Sequence, residues 1–150
     1  MDKFPKLNFP SVRFQARRQG GKTMIWDALR KSYLVLTPEE WVRQHLIAML
    51  INDMHIAPVN IIQEYPIDLN GQSQRADVVV LNTSLKPSLL IECKAPDVEL
   101  SGSVLEQAVR YNSVLGATHI ILTNGLQHAI YTTEDGINYS PTTSFPSMIT

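Results

Sequence analysis

The chain has 150 residues, is 44% hydrophobic and 18% charged, and carries a net charge of −1, which fits a globular domain with a real core and excludes a disordered polyelectrolyte. No apolar run approaches the roughly 18 residues of a membrane span, and the opening "MDKFPKLNFP" lacks the continuous apolar segment of a secretory signal. One cysteine, Cys93, excludes an internal disulfide framework and a cysteine-built zinc site, and points to a reducing, cytoplasmic setting with no membrane partner.

The near-neutral total hides a split. Residues 1–36 hold eight of the thirteen Lys and Arg and two of the fourteen acids, a balance of +6, which leaves −7 for residues 37–150. This first stretch reads as extended segments joined by a turn at Gly20-Gly21, a basic β extension. "GGKT" within it is not a phosphate-binding loop, because Ala16 stands where that pattern needs its first glycine.

A helix is predicted over "TPEEWVRQHLIAMLIND". Thr37 suits the cap, Pro38 the first helical position, and Glu40 completes a capping box. Val42, Leu46, Met49 and Leu50 would form its buried face. "NIIQEYPIDL" and "QRADVVVLN" read as strands joined by an Asn70-Gly71 hairpin turn. "LLIECKAPD" supplies a third strand, bounded by Pro87 and Pro96. "SVLEQAVRYNSVLG" is a second helix, with Ser103 and Glu106 as a capping box and Gly116 as terminator. "ATHIILTNG" is an apolar strand of the kind buried on both faces. "HAIYTTEDGINYS" suggests a closing hairpin turning near Glu134 to Gly136, and the tail "PTTSFPSMIT" reads as irregular. The order gives one α/β domain with a mixed central sheet flanked by helices and β-hairpin additions at both ends. Its parts are the basic extension (1–36), a core (37–132), and a hairpin end with a tail (133–150).

The chemistry lies in the middle strands. Asp77 is flanked by Ala76 and Val78, and an unpaired carboxylate in such a strand costs several kcal/mol, so it needs a partner or a metal. Glu92 and Lys94, two residues apart, point to one face of the third strand, and Cys93 points to the other. If the two strands pair, Asp77 comes alongside Glu92. Carboxylates that close repel unless a proton or a cation intervenes. Mg²⁺ suits such a site, since it takes hard oxygen ligands and retains water. Lys94 would then orient the attacking water or stabilise charge developing on a phosphate. The four histidines, His45, His55, His119 and His128, show no ligand spacing. Arg75 fits either a surface residue or a phosphate contact.

The set Asp77…Glu92-Cys93-Lys94 resembles the D…(D/E)-x-K core of the PD-(D/E)XK nuclease superfamily, with Ala76 where many members have proline. Gln107 and Tyr111, spaced to share one helical face, match the Q-x-x-x-Y motif of RecB-like and type I restriction nucleases. "LTPEEWVRQ", "RADVVVLN", "IECKAP" and "QAVRYN" together resemble the N-terminal nuclease domain of type I restriction enzyme R subunits, over roughly residues 27–131. The resemblance implies a restriction-endonuclease-like fold and metal-dependent hydrolysis of DNA phosphodiesters in a restriction or related defence system. It implies Asp77, Glu92 and the Cys93 backbone carbonyl as Mg²⁺ ligands, with Mn²⁺ able to substitute. Glu40 would reach the metal through water, Lys94 would be the catalytic lysine, and Gln107 and Tyr111 would position substrate or lysine.

Arg13, Arg17, Arg18 and Lys22, around the Gly-Gly turn, are candidates for phosphate contacts with DNA. In the enzymes this chain resembles, a motor and a specificity subunit supply further affinity, so here that affinity is expected either from separate motor and specificity subunits or from a longer protein of which this chain is a fragment. The competing reading is a non-catalytic module on the same fold that binds nucleic acid or a protein partner. The near-neutral charge favours it, and the presence of Asp77, Glu92 and Lys94 together argues against it.

Overall fold

The structure, a computed structural model, describes residues 3–146. Three antiparallel strands come first, β1 (Ala16–Gln19), β2 (Lys22–Asp27) and β3 (Ser32–Val35). The basic extension is therefore a three-stranded meander, turned at Gly20-Gly21 as expected. Its register aligns Arg17 with Met24 and Met24 with Val35, and sets Trp26 opposite Tyr33. Alternation sends Ile25 and Asp27 to the opposite face, where both are buried.

Helix α1 (Pro38–Asn52) starts where Thr37 Oγ1 accepts the Glu40 N–H at 3.1 Å. Only this half of the predicted capping box carries through to the cap. The Glu40 carboxylate instead takes hydrogen bonds from Arg43 and Gln44, because a buried carboxylate gains more from a guanidinium than from a neutral N–H. Val42, Leu46, Met49 and Leu50 are buried as the periodicity required.

Strands β4 (Ile61–Leu69) and β5 (Gln72–Leu81) form the expected hairpin. Asn70 and Gly71 have φ of 53° and 83°, the two left-handed residues that match the twist of a tight hairpin. Strand β6 (Pro87–Cys93), helix α2 (Gly102–Leu115), β7 (His119–Thr123), β8 (His128–Thr132) and β9 (Ser140–Thr142) follow. The six-stranded sheet runs β4-β5-β6-β7-β8-β9. It is antiparallel except for β6 and β7, which are parallel and joined through α2. The α/β class with a mixed sheet is thus observed.

Two expectations need correction. Helix α2 begins at Gly102 with Ser101 at the cap position, so Ser103 lies inside the first turn and the Ser103–Glu106 box does not form. The Ser101 and Ser103 hydroxyls bond each other at 2.8 Å instead. The tail is not irregular throughout, because Ser140–Thr142 adds an edge strand to β8, a place where Pro141 is tolerated. Residues 147–150 of that tail lie outside the described residues.

The sheet has a core on each side. Val42, Leu46 and Leu50 of α1 pack with Val78, Val80, Leu89, Ile91 and Ile121. Ala108 and Tyr111 of α2 pack with Ala76, Val79, Leu90, Ile120 and Leu122. Strands β6 and β7 are covered on both faces, which explains their nearly unbroken apolar sequence. Among the described residues, no helix is long and apolar enough to cross a membrane.

Candidate functional site

The sheet is interrupted where Asp77 sits. On the β4 side the register runs from Gln63↔Val78 to Tyr65↔Ala76 and skips Glu64, whose φ is 52°. On the β6 side the pairing ends at Val78↔Ile91. Beyond that point the Cys93 N–H donates to Asp77 Oδ2 at 2.8 Å. A side-chain oxygen thus takes over from the backbone ladder, and the Asp77 carboxylate is fixed against the end of β6. The local twist fits this break: Ala76 packs toward α2, yet Val78 packs toward α1.

Glu92 is only 5% exposed, and its Oε1 is buried with no hydrogen-bond partner. Burial, and then the Asp77 charge, push its carboxyl up to about 9, with the Lys94 charge acting in the opposite direction. Cys93 is fully buried, and burial drives its thiol far from ionisation, as befits a core residue. Lys94 follows the end of β6, where its N–H donates to Thr123 O on β7 at 2.8 Å. Its side chain is half-buried, and its charge acts on both Glu92 and Glu39.

The helix pair comes to the same place. Gln107 Nε2 donates to the Tyr111 hydroxyl at 3.0 Å, and that hydroxyl donates to Gln74 Oε1 on β5 at 3.3 Å. Burial raises the Tyr111 phenol, and the charges of Glu92 and Asp77 raise it further. Asp77, Glu92, Lys94, Gln107 and Tyr111 therefore gather beside the middle of β5 and the end of β6.

Glu40 is 3% exposed, with Oε1 accepting from Gln44 Nε2 at 2.9 Å and Oε2 accepting from Arg43 Nε at 2.8 Å. Arg43 also reaches toward the site, with Nη1 4.0 Å from Asp77 Oδ1. The acid of this turn that shares a field with Asp77 and Lys94 is Glu39, which burial and Asp77 raise. Sequence reasoning passed over Glu39, Arg43 and Gln74. The spacing of Glu40 and Arg43, three residues apart on a helix, was the available signal for Arg43. Gln74 meets Tyr111 across 37 positions, and nothing local marks it.

The basic residues stand apart on the meander. The Arg17 guanidinium lies 3.9 Å over the Tyr33 ring, and Arg18 bonds Thr23 Oγ1 and Gly21 O at 3.0 Å each. Arg13 and Lys22 are exposed. No hydrogen bond or ion pair among the described residues joins these four to Asp77 or Glu92. Arg75, 71% exposed, pairs with Glu64 at 3.7 Å.

As a cation site, the cluster offers the carboxylates of Asp77 and Glu92, with Asp77 oriented by the Cys93 N–H. No group of three or more His, Cys, Asp or Glu side chains converges among the described residues. That donor set is too poor for a zinc site. It fits Mg²⁺, which binds through one or two carboxylates and keeps several waters, and the orphaned Glu92 oxygen is the place where a cation would relieve the structure.

No curated protein and no solved structure matches the chain. The family described as the type I restriction enzyme R protein N terminus matches residues 38–146. The match takes in the whole cluster from Glu39 to Tyr111 and most of the chain, which therefore belongs to the type I restriction enzyme R protein N-terminal family.

Proposed function

We propose that the chain is a metal-dependent nuclease domain of the PD-(D/E)XK kind that hydrolyses DNA phosphodiester bonds, acting in the cytoplasm as part of a type I restriction or related defence system. Family membership supports the restriction role. The observation that carries the chemistry is the buried, unpartnered Glu92 oxygen beside Asp77, with Lys94 next along the strand end. Two carboxylates held this close favour either a proton or a divalent cation between them.

Asp77, Glu92 and the Cys93 carbonyl would hold Mg²⁺, for which Mn²⁺ would substitute. When bound, the ion would offset the negative charge of the phosphate and lower the pKa of a bound water. Asp77 contributes a carboxylate already oriented by the Cys93 N–H. Lys94 orients the attacking water or stabilises charge on the phosphate oxygens; a cationic ammonium has no lone pair to donate to a metal. Gln107 and Tyr111, tied to β5 through Gln74, position the substrate backbone or Lys94. In the reaction the water oxygen bonds to phosphorus, one ester P–O bond breaks, and the departing oxygen takes up a proton.

Arg13, Arg17, Arg18 and Lys22 would add non-specific phosphate contacts from the meander. A motor and a specificity subunit would bring the domain to its substrate. The test is calorimetry with Mn²⁺ together with nicking of supercoiled DNA. Asp77→Ala and Glu92→Ala should each lose metal binding and cleavage while the fold persists. An Asp77→Ala protein that still cleaves in a metal-dependent way would sink the assignment, and a wild type that binds DNA without metal or cleavage would leave the non-catalytic module.

A further inference from the structure

Glu40 is placed to serve the site without touching a metal. Both of its oxygens already have protein donors, Oε1 on Gln44 and Oε2 on Arg43. Gln44 is held in turn by Asp27 Oδ2 at 3.2 Å, and Gln63 Nε2 reaches the same Asp27 oxygen at 2.9 Å. Asp27 Oδ1 accepts the N–H groups of Leu29 and Arg30. A polar chain therefore runs from the end of β2 through Gln44 and Glu40 to Arg43, and Arg43 ends 4.0 Å from Asp77 Oδ1. Most of this chain is buried, with Asp27, Glu40 and Gln44 at 0%, 3% and 4% exposure.

Arg43 is the critical member. It is a permanent cation beside the carboxylate that would receive a metal. Left to itself, a guanidinium at that distance would close on Asp77 and occupy the position of a divalent ion. Two of its nitrogens are instead turned onto Glu40 Oε2, and its remaining nitrogen makes only a long ion pair with Asp77, at 4.0 Å.

We propose that Glu40 is a positioning residue, a tether that keeps Arg43 off Asp77 and so leaves Asp77 open to a divalent cation. This rests on the metal-centre reading above. It differs from the role that resemblance assigns to Glu40, a metal contact through water, and the two roles predict opposite outcomes for one double substitution.

The experiment is Mn²⁺ titration of the full chain by calorimetry, for the wild type, Glu40→Gln and Glu40→Gln/Arg43→Gln. Glu40→Gln keeps the bond to Gln44 in shape but frees Arg43, so Mn²⁺ affinity should fall by about tenfold or more, the effect of one unit charge closing on the site. Removing Arg43 as well should restore affinity to within about threefold of wild type, since the competing cation is gone. Arg43→Gln alone is avoided, because it leaves Glu40 buried without its countercharge and risks unfolding. If Glu40 contacted the metal through water, the double variant would stay as weak as Glu40→Gln, and the tether would be wrong. Unchanged affinity in Glu40→Gln would also overturn it. A wild-type chain that binds no Mn²⁺ would remove the metal centre and the tether together, whereas normal wild-type binding without restoration removes the tether alone.

Discussion

Replacing Glu92 by Gln in the metal-free protein isolates the carboxyl at the centre of the site. Gln has the shape of a protonated carboxyl but cannot ionise. In the native chain, burial and then Asp77 hold Glu92 at about 9, against about 4.3 for a free glutamate. A folded-state pKa above the unfolded value means that the native state is most favoured in acid. That advantage is lost as pH rises, up to the point near 9 where the folded carboxyl ionises too. The loss is about 1.4 kcal/mol per pH unit, so roughly 3 kcal/mol disappears between pH 5 and 7. Glu92→Gln removes this slope while leaving the other titrating groups in place, so the difference between the two proteins reports Glu92. Urea unfolding in EDTA at several pH values should show the variant gaining on wild type by that amount. With Mg²⁺ at about 100 times its Kd the gap opened by pH 7 should close, because only the wild type gains the roughly 2.7 kcal/mol of ligand stabilisation. Parallel stability profiles from pH 5 to 8 in EDTA would refute the reasoning.

Lys94→Ala should abolish cleavage yet keep Mn²⁺ binding, and calorimetry beside a nicking assay separates the two; loss of metal binding in a folded variant would show that the roles were wrongly divided. Arg17→Ala/Arg18→Ala should weaken DNA binding of about 10⁻⁴–10⁻⁶ M at physiological salt and flatten its salt dependence by about one to two units of slope. A salt titration that leaves the slope unchanged excludes the meander as the phosphate surface. Gly125→Ala should cost about 1–3 kcal/mol in urea unfolding, since Gly125 has φ of 85° and an added Cβ would stand 2.7 Å from Leu7 Cδ2 and 3.1 Å from Val42 Cγ2. A change below half a kcal/mol would mean that the N-terminal segment gives way freely there.

What the sequence made legible were features in which several local signals agreed. Asn70-Gly71 between two strand-like runs gave the hairpin, because few residue pairs tolerate two successive left-handed conformations. Thr37 and Pro38 fixed the start of α1 for a similar reason. The start of α2 was misread because Ser101 is as plausible a cap as Ser103 on local grounds, and the helix begins after Ser101, whose hydroxyl bonds Ser103 rather than a helix N–H. The closing hairpin was expected, with its turn near Glu134 to Gly136, but its second arm, β9, lies later than the sequence suggested. Three residues with a proline in the middle carry no strand pattern, and their pairing is supplied by β8.

The site divides along the same line. Asp77 and Glu92 stood out because a carboxylate among valines and leucines demands a compensating interaction, and that demand is written in the neighbours. The spacing of Arg43 from Glu40 offered an ion pair, but its reach to Asp77 depends on where the helix lies against β5, which no local pattern encodes. Glu40 shows the limit most clearly. It sits three residues after Thr37 and three before Arg43, so one spacing serves both a capping box and an ion pair. The choice between them is made by burial. A solvated Glu40 would lose little by bonding a backbone N–H, but at 3% exposure an unneutralised carboxylate costs far more than an imperfect cap. The guanidinium therefore wins the carboxylate, and in winning it is held back from Asp77. A residue read as a helix cap thus sets the charge beside the candidate metal site, and it does so only because the fold has taken it out of water.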